Sequence, residues 1–150
     1  MLFRSLDEML TDRKAGKAIV NVGDGAMLLR PQRVGDFDHD FIAAATTEGK
    51  LLLFPINELP QLARGKGVQT IKVHRTPIAP EKVVSTAVVA KGGTLVVTAG
   101  KRYTNLKGED LETYIGKRAQ RGLKLPRGFQ SVSLIRAWSD RDREGGELVM

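Results

Sequence analysis

Few residues in this sequence are of types that do chemistry, and their spacing narrows them further. There is no cysteine, which excludes disulfides, zinc–thiolate sites and thiol nucleophiles. The two histidines, His39 and His74, stand apart, and neither is placed like a catalytic base. Asp36, Asp38 and Asp40 alternate acids with other residues, but the glycine and distant glutamate of a calcium loop are missing, so they read as a solvated connector. No catalytic residue and no metal ligand is assigned. What the sequence does hold is cations, 24 Lys and Arg against 17 Asp and Glu, for a net charge of +7.

Those cations are segregated. Arg13, Lys14 and Lys17 fall in residues 13–17; Arg64, Lys66, Lys72 and Arg75 in 59–80; Lys117, Arg118, Arg121, Lys124, Arg127 and Arg136 in 113–139. The three windows hold 13 cations and no acid, whereas the rest of the chain has 11 cations against 17 acids. An ordinary solvated surface intersperses its signs. Segregation of this kind is the footprint of nucleic-acid binding, in which Lys and Arg neutralise phosphates and release counterions. Gly16, Gly65, Gly67 and Gly122 among the cations let the backbone approach a phosphate and offer N–H donors. Aromatic residues are only 5% of the chain, and Phe129 is the one Phe inside the windows, so a stacking platform for single strands is not indicated. Duplex DNA, held by its backbone and bent around a curved rim, fits better. Arg13, Lys14, Lys17, Arg64, Lys66, Lys72, Lys117, Arg118, Arg121, Lys124 and Arg127 are the DNA-contacting candidates, and reversal of Lys50, outside the windows, is expected to matter much less.

The elements that must position these loops repeat. At an offset of 51, Leu2-Phe3 falls on Leu53-Phe54, Asp7 on Glu58, Arg13 on Arg64, Gly16 on Gly67, and Gly49-Lys50 on Gly100-Lys101. The shared order is apolar strand, Gly-Lys turn, apolar strand, short acidic turn, basic loop, apolar strand. Strands are predicted at 17–22, 41–46, 50–54, 68–73, 83–89, 94–98, 101–105 and 130–138, some buried on both faces. Gly23-Asp24-Gly25, Glu48-Gly49 and Lys91-Gly92-Gly93 signal hairpin turns. Helix is confined to short pieces at 6–10, 56–59 and 109–115. Four short strands per repeat is the blade arithmetic of a propeller-like all-β fold, with units at about 1–40, 41–80 and 83–139 and a tail at 140–150. A β-sandwich with accidental self-similarity is the alternative. Gly49 and Gly100 place an earlier equivalent before Met1, so the chain is expected to start mid-blade, as a piece of a longer polypeptide.

The 150 residues are 41% hydrophobic and 27% charged, a globular rather than a disordered composition. No apolar run approaches the roughly 20 residues of a membrane-spanning helix, and Met1-Leu-Phe-Arg lacks the start of a secretory signal. A cytoplasmic location and no membrane partner are expected.

Three stretches carry a family resemblance: Lys14-Ala15-Gly16-Lys17-Ala18, residues 54–67 from Phe54-Pro55-Ile56 to Arg64-Gly65-Lys66-Gly67, and Arg118-Ala119-Gln120-Arg121-Gly122. The sequence resembles, over essentially its whole length, the carboxy-terminal domain of the ParC-type polypeptide of bacterial topoisomerase IV, which is related to its counterpart in gyrase. The resemblance implies a β-pinwheel of propeller-like blades whose basic outer edge binds and bends duplex DNA. Such a module helps choose the DNA segment passed during decatenation and supercoil relaxation. It also implies two partners within topoisomerase IV, the rest of the ParC-type polypeptide and the ATPase polypeptide. ATP and Mg²⁺ are implied for the whole enzyme but no cofactor in this chain, and association with the nucleoid is implied as well. The gyrase box Gln-Arg-Arg-Gly-Gly-Lys-Gly is echoed only in part, by Arg64-Gly65-Lys66-Gly67. The family's catalytic tyrosine belongs to an amino-terminal winged-helix domain, and Arg102-Tyr103-Thr104, on a predicted strand, matches its surroundings by coincidence. A protein-interaction propeller docking an acidic, chromosome-organising partner is the alternative function. An independent enzyme comes third, since no acid–base, nucleophile or metal constellation is visible.

Overall fold

A computed structural model describes residues 29, 31–60 and 68–138. The expectations at 6–10, 17–22, 23–25 and 140–150, and the cations Arg13, Lys14, Lys17, Arg64 and Lys66, lie outside the described residues.

Two apolar runs separated by a glycine turn make the central hairpin. Strand β1 (Phe41–Thr46) and strand β2 (Lys50–Pro55) pair antiparallel, Ala43 opposite Leu53 and Ala45 opposite Leu51. Both are buried almost end to end. Consecutive side chains of a strand point to opposite faces, so a continuous apolar run requires cover on both. On one face Ala43, Ala45, Leu51 and Leu53 join Val97, Leu106, Leu125 and Ile135 in the larger core. On the other, Ile42, Ala44, Leu52 and Phe54 pack with Ile56, Leu59 and Ile71. Burying each large aliphatic side chain contributes about 2 kcal/mol.

Strand β3 (Val83–Val89) pairs with β1, Ala43 opposite Ala87, with an irregularity at Ala45/Thr46. A turn with Gly92 at φ +75° leads to β4 (Thr94–Ala99), which forms a second hairpin with β5 (Arg102–Lys107). One helical turn, α1 (Glu109–Glu112), follows, then β6 (Leu123–Lys124) and β7 (Leu134–Ala137). The sheets have the orders β3-β1-β2-β6 and β5-β4-β7, and all the pairings within them are antiparallel. They meet at Ser85, whose hydroxyl donates to the Ile135 carbonyl (3.4 Å) and accepts from the Ile135 N–H (3.3 Å).

The strands expected at 41–46 and 83–89 form as read, and those at 50–54, 94–98 and 101–105 run one or two residues longer or are shifted by one. Three expectations need correction. Residues 68–73 make no strand: the Thr70 carbonyl and the Lys72 N–H bond Ala119 and Gln120 of a loop instead of a strand ladder. The strand at 130–138 shrinks to Leu134–Ala137, because Gln130 passes over the Gly49 turn first. The helix at 109–115 stops at Glu112, since the Tyr114 carbonyl and the Gly116 N–H turn away to bond Leu53. Strand β6, two exposed residues long, is too short to give a periodic signal and escapes sequence reading.

Candidate nucleic-acid interface

The basic loop is an excursion from the edge of β2. Leu53 fixes its start, donating to the Tyr114 carbonyl (2.9 Å) and accepting from the Gly116 N–H (2.7 Å). Its end returns as β6, with Leu123 opposite Leu51 and Lys124 opposite Lys50. Gly122 makes the return turn at φ +68°, where a Cβ would lie 2.7 Å from the Leu51 carbonyl oxygen, so only glycine fits. Between these anchors, residues 117–121 project from the sheet.

The projecting loop is tied down by main-chain bonds. Ala119 donates to the Thr70 carbonyl (2.8 Å), and Lys72 donates to the Gln120 carbonyl (2.7 Å). Gln120 also accepts the Lys117 N–H on its side-chain oxygen (3.0 Å). Ala119 holds φ +65°, the left-handed region that costs a non-glycine residue about 1–2 kcal/mol. Arg118 reaches back to the turn after β2: its N–H donates to a Glu58 carboxylate oxygen (2.9 Å), its Nε to the Glu58 carbonyl (3.2 Å) and its Nη1 to the Gln69 carbonyl (2.8 Å).

Two of the basic windows are thereby joined. Lys72, Lys117 and Arg121 stand exposed on or beside one loop, with Arg118 half-buried beneath them and Lys124 exposed on the adjoining β6. Arg127 is also exposed, farther along, in the segment that follows Leu125, whose N–H is held by the Gly49 carbonyl (2.8 Å). Arg136 lies apart, half-buried on β7 opposite Val96. A cluster of exposed cations on backbone-anchored supports can neutralise successive phosphates while carrying no base-reading geometry.

No family model matches the sequence. The A-type polypeptide of DNA topoisomerase 4 from Pseudomonas aeruginosa is 46% identical over 131 residues, 86% of this chain and 17% of that protein. Its namesake from Escherichia coli is 30% identical over 145 residues, 95% of this chain and 19% of that protein. Among solved structures, the C-terminal domain of Escherichia coli ParC superposes with a TM-score of 0.75 at 29% identity, covering 92% of this chain and 56% of that one. Over most of its length the chain is similar to the C-terminal part of these ParC-type topoisomerase IV polypeptides. It spans less than a fifth of the curated relatives' length. The C-terminal domain of DNA gyrase A, at 16% identity and a TM-score of 0.54 over 80% of this chain, shares the fold. The fold is the β-pinwheel of these topoisomerase IV and gyrase domains.

Within this β-pinwheel, the other chemistry-bearing residues have structural work. Asp40 is buried and its carboxylate accepts the N–H groups of Gly35 (3.1 Å) and Asp36 (2.9 Å). Asp36 pairs with His39 Nδ1 (2.8 Å) and accepts the Asp38 N–H, which together hold its carboxyl below the usual range. The connector is thus a hydrogen-bonded turn, and its third acid is not solvated. Among the described residues no group of three or more His, Asp or Glu is placed to hold a metal, and no helix is long and apolar enough to cross a membrane. Tyr103 is exposed on β5, opposite Thr98. Tyr114 is buried, and burial together with Asp110 raises its hydroxyl pKa.

Lys50 requires a correction. It is buried, with Nζ 3.1 Å from Glu48 and 3.7 Å from Glu81, so its reversal would damage the fold and cannot serve as an innocuous control. Glu58, Gln69 and Gln120 are the site residues that sequence reading misses. The signal for Glu58 is its repeat partner Asp7, the acid of the short turn that precedes each basic loop.

Proposed function

We propose that this chain is a non-catalytic, sequence-independent duplex-DNA-binding and bending module of a type IIA topoisomerase, steering DNA segments for decatenation and supercoil relaxation. The observation that carries the reading is the junction of two acid-free windows, which puts Lys72, Lys117 and Arg121 on one anchored loop system beside Lys124. Similarity to the ParC-type topoisomerase IV polypeptides and to the solved ParC C-terminal domain supports it. On this reading Arg13, Lys14, Lys17, Arg64, Lys66, Arg118 and Arg127 extend the contact. The module works with the rest of the ParC-type polypeptide and with the ATPase polypeptide on DNA in the cytoplasm, at the nucleoid. The ATP, the Mg²⁺ and the nucleophilic tyrosine are supplied elsewhere in the assembly.

Fluorescence anisotropy with unrelated duplexes at rising salt tests this. Engagement of Lys72, Lys117, Arg121 and Lys124 alone gives a slope of log K against log[salt] of about −3.6, steeper if the other cations contact DNA. Affinity is expected to differ little between sequences. Absent or salt-insensitive binding by the full chain overturns the reading.

A further inference from the structure

An acid beside a phosphate-binding loop is a liability, because it repels the ligand that the cations attract. Glu58 is such an acid. It immediately precedes the window 59–80, and its carboxylate and carbonyl both bond Arg118 in the middle of the other window. The arrangement is economical: one short turn after β2 accepts the main-chain N–H of Arg118 and its Nε, while Nη1 bridges on to Gln69. The clasp spans 60 residues of sequence and closes over the stretch where Ala119 holds a left-handed backbone. A residue held in that conformation persists only where its surroundings over-determine it.

We propose that Glu58, acting through Arg118, is a positioning residue for DNA binding: it holds the 117–121 loop in the conformation that presents Lys117 and Arg121 beside Lys72. The inference rests on the DNA-binding reading above. It makes a prediction opposite in sign to bulk electrostatics. Removing an acid raises the net charge and, by charge alone, tightens DNA binding. By the positioning argument, Glu58→Ala releases the loop and weakens it.

The full chain is compared as wild type, Glu58→Ala, Glu58→Gln and Arg118→Lys, by anisotropy on a single mixed-sequence duplex and by timed trypsin digestion mapped by mass spectrometry. Glu58→Ala is expected to weaken binding about five- to tenfold, the loss of a charge-assisted hydrogen bond. It is also expected to speed cleavage after Lys117, Arg118 and Arg121. Glu58→Gln keeps an acceptor for the Arg118 N–H and is expected to restore affinity to within about twofold of wild type. Arg118→Lys keeps the charge and loses the fork, so binding falls by about fivefold at unchanged net charge. It carries the test if Glu58→Ala does not fold. Binding by Glu58→Ala or Arg118→Lys as tight as wild type, with unchanged cleavage, overturns the inference. If wild type itself fails to bind DNA, the proposed function falls, while the cleavage pattern still decides whether Glu58 holds the loop.

Discussion

Gly49 and Gly100 occupy the same place in two hairpins 51 residues apart, at φ +74° and φ +63°, and the backbone demands the same residue type at both. Their surroundings differ. A Cβ on Gly100 meets nothing within 4 Å, whereas one on Gly49 would lie 2.4 Å from the Gln130 Cα and 2.6 Å from its carbonyl oxygen. Gly100→Ala should therefore cost only the left-handed penalty, about 1–2 kcal/mol. Gly49→Ala adds a clash with main chain that cannot move without lifting residues 125–130 off the turn, for roughly 3 kcal/mol or more. Urea unfolding of the two variants checks the difference, and equal losses would mean that the 125–130 segment is not seated on Gly49. The demand for glycine is legible at both positions from the repeat spacing. The contact with Gln130 is not, because it joins residues 81 apart in sequence that no pattern links.

The segment from His74 to Glu81 is closed by reciprocal contacts and clasped to the β1–β2 hairpin by one carboxylate. Glu81 donates its N–H to the His74 carbonyl (2.9 Å) and accepts the His74 N–H on its side chain (2.7 Å), while its other oxygen accepts the Thr46 hydroxyl (2.6 Å). Burial pushes its carboxyl up, but the bonds from Thr46 and His74, with the Lys50 charge, outweigh that and hold it below its ordinary 4.5. A depressed carboxylate contributes stability that is present above the unfolded pKa and is lost as pH falls through the folded one. Thermal unfolding between pH 7 and pH 3 should show wild type losing stability below about pH 4.5. Glu81→Gln is expected to be less stable at pH 7 by about 1–3 kcal/mol and to have a flatter acid limb. Parallel acid limbs for the two proteins would remove Glu81 from the linkage. β1 and β3 are legible because apolar runs bounded by turn residues report burial, and burial there coincides with ladder pairing. Between Val68 and Val73 the two part company: Ile71 is buried like a strand residue, yet the hydrogen bonds run to the basic loop. Side-chain periodicity reports which face is covered and is silent on which partner takes the main-chain groups.

On the DNA-binding reading proposed above, the question for the whole molecule is whether affinity follows total charge or its placement. The pinwheel brings the windows around Lys72 and Lys117 into one loop system, although they are some 45 residues apart in sequence. Other exposed lysines sit elsewhere: Lys91 in the β3–β4 turn, beyond the opposite edge of the four-stranded sheet, and Lys101 in the β4–β5 turn of the second sheet. Reversing Lys117 and Arg121 to Glu lowers the net charge from +7 to +3, and so does reversing Lys91 and Lys101. All four side chains are exposed, so neither pair should cost much stability. If affinity tracked net charge, the two double variants would bind alike. Counterion release at contacted phosphates gives a different result. The loop pair should lose roughly 10- to 100-fold at fixed salt, with a shallower salt slope, while the distant pair stays within about threefold of wild type and keeps its slope. Anisotropy titrations at two salt concentrations separate these outcomes, and equal losses would assign the binding to the overall field rather than to the loop that the fold builds.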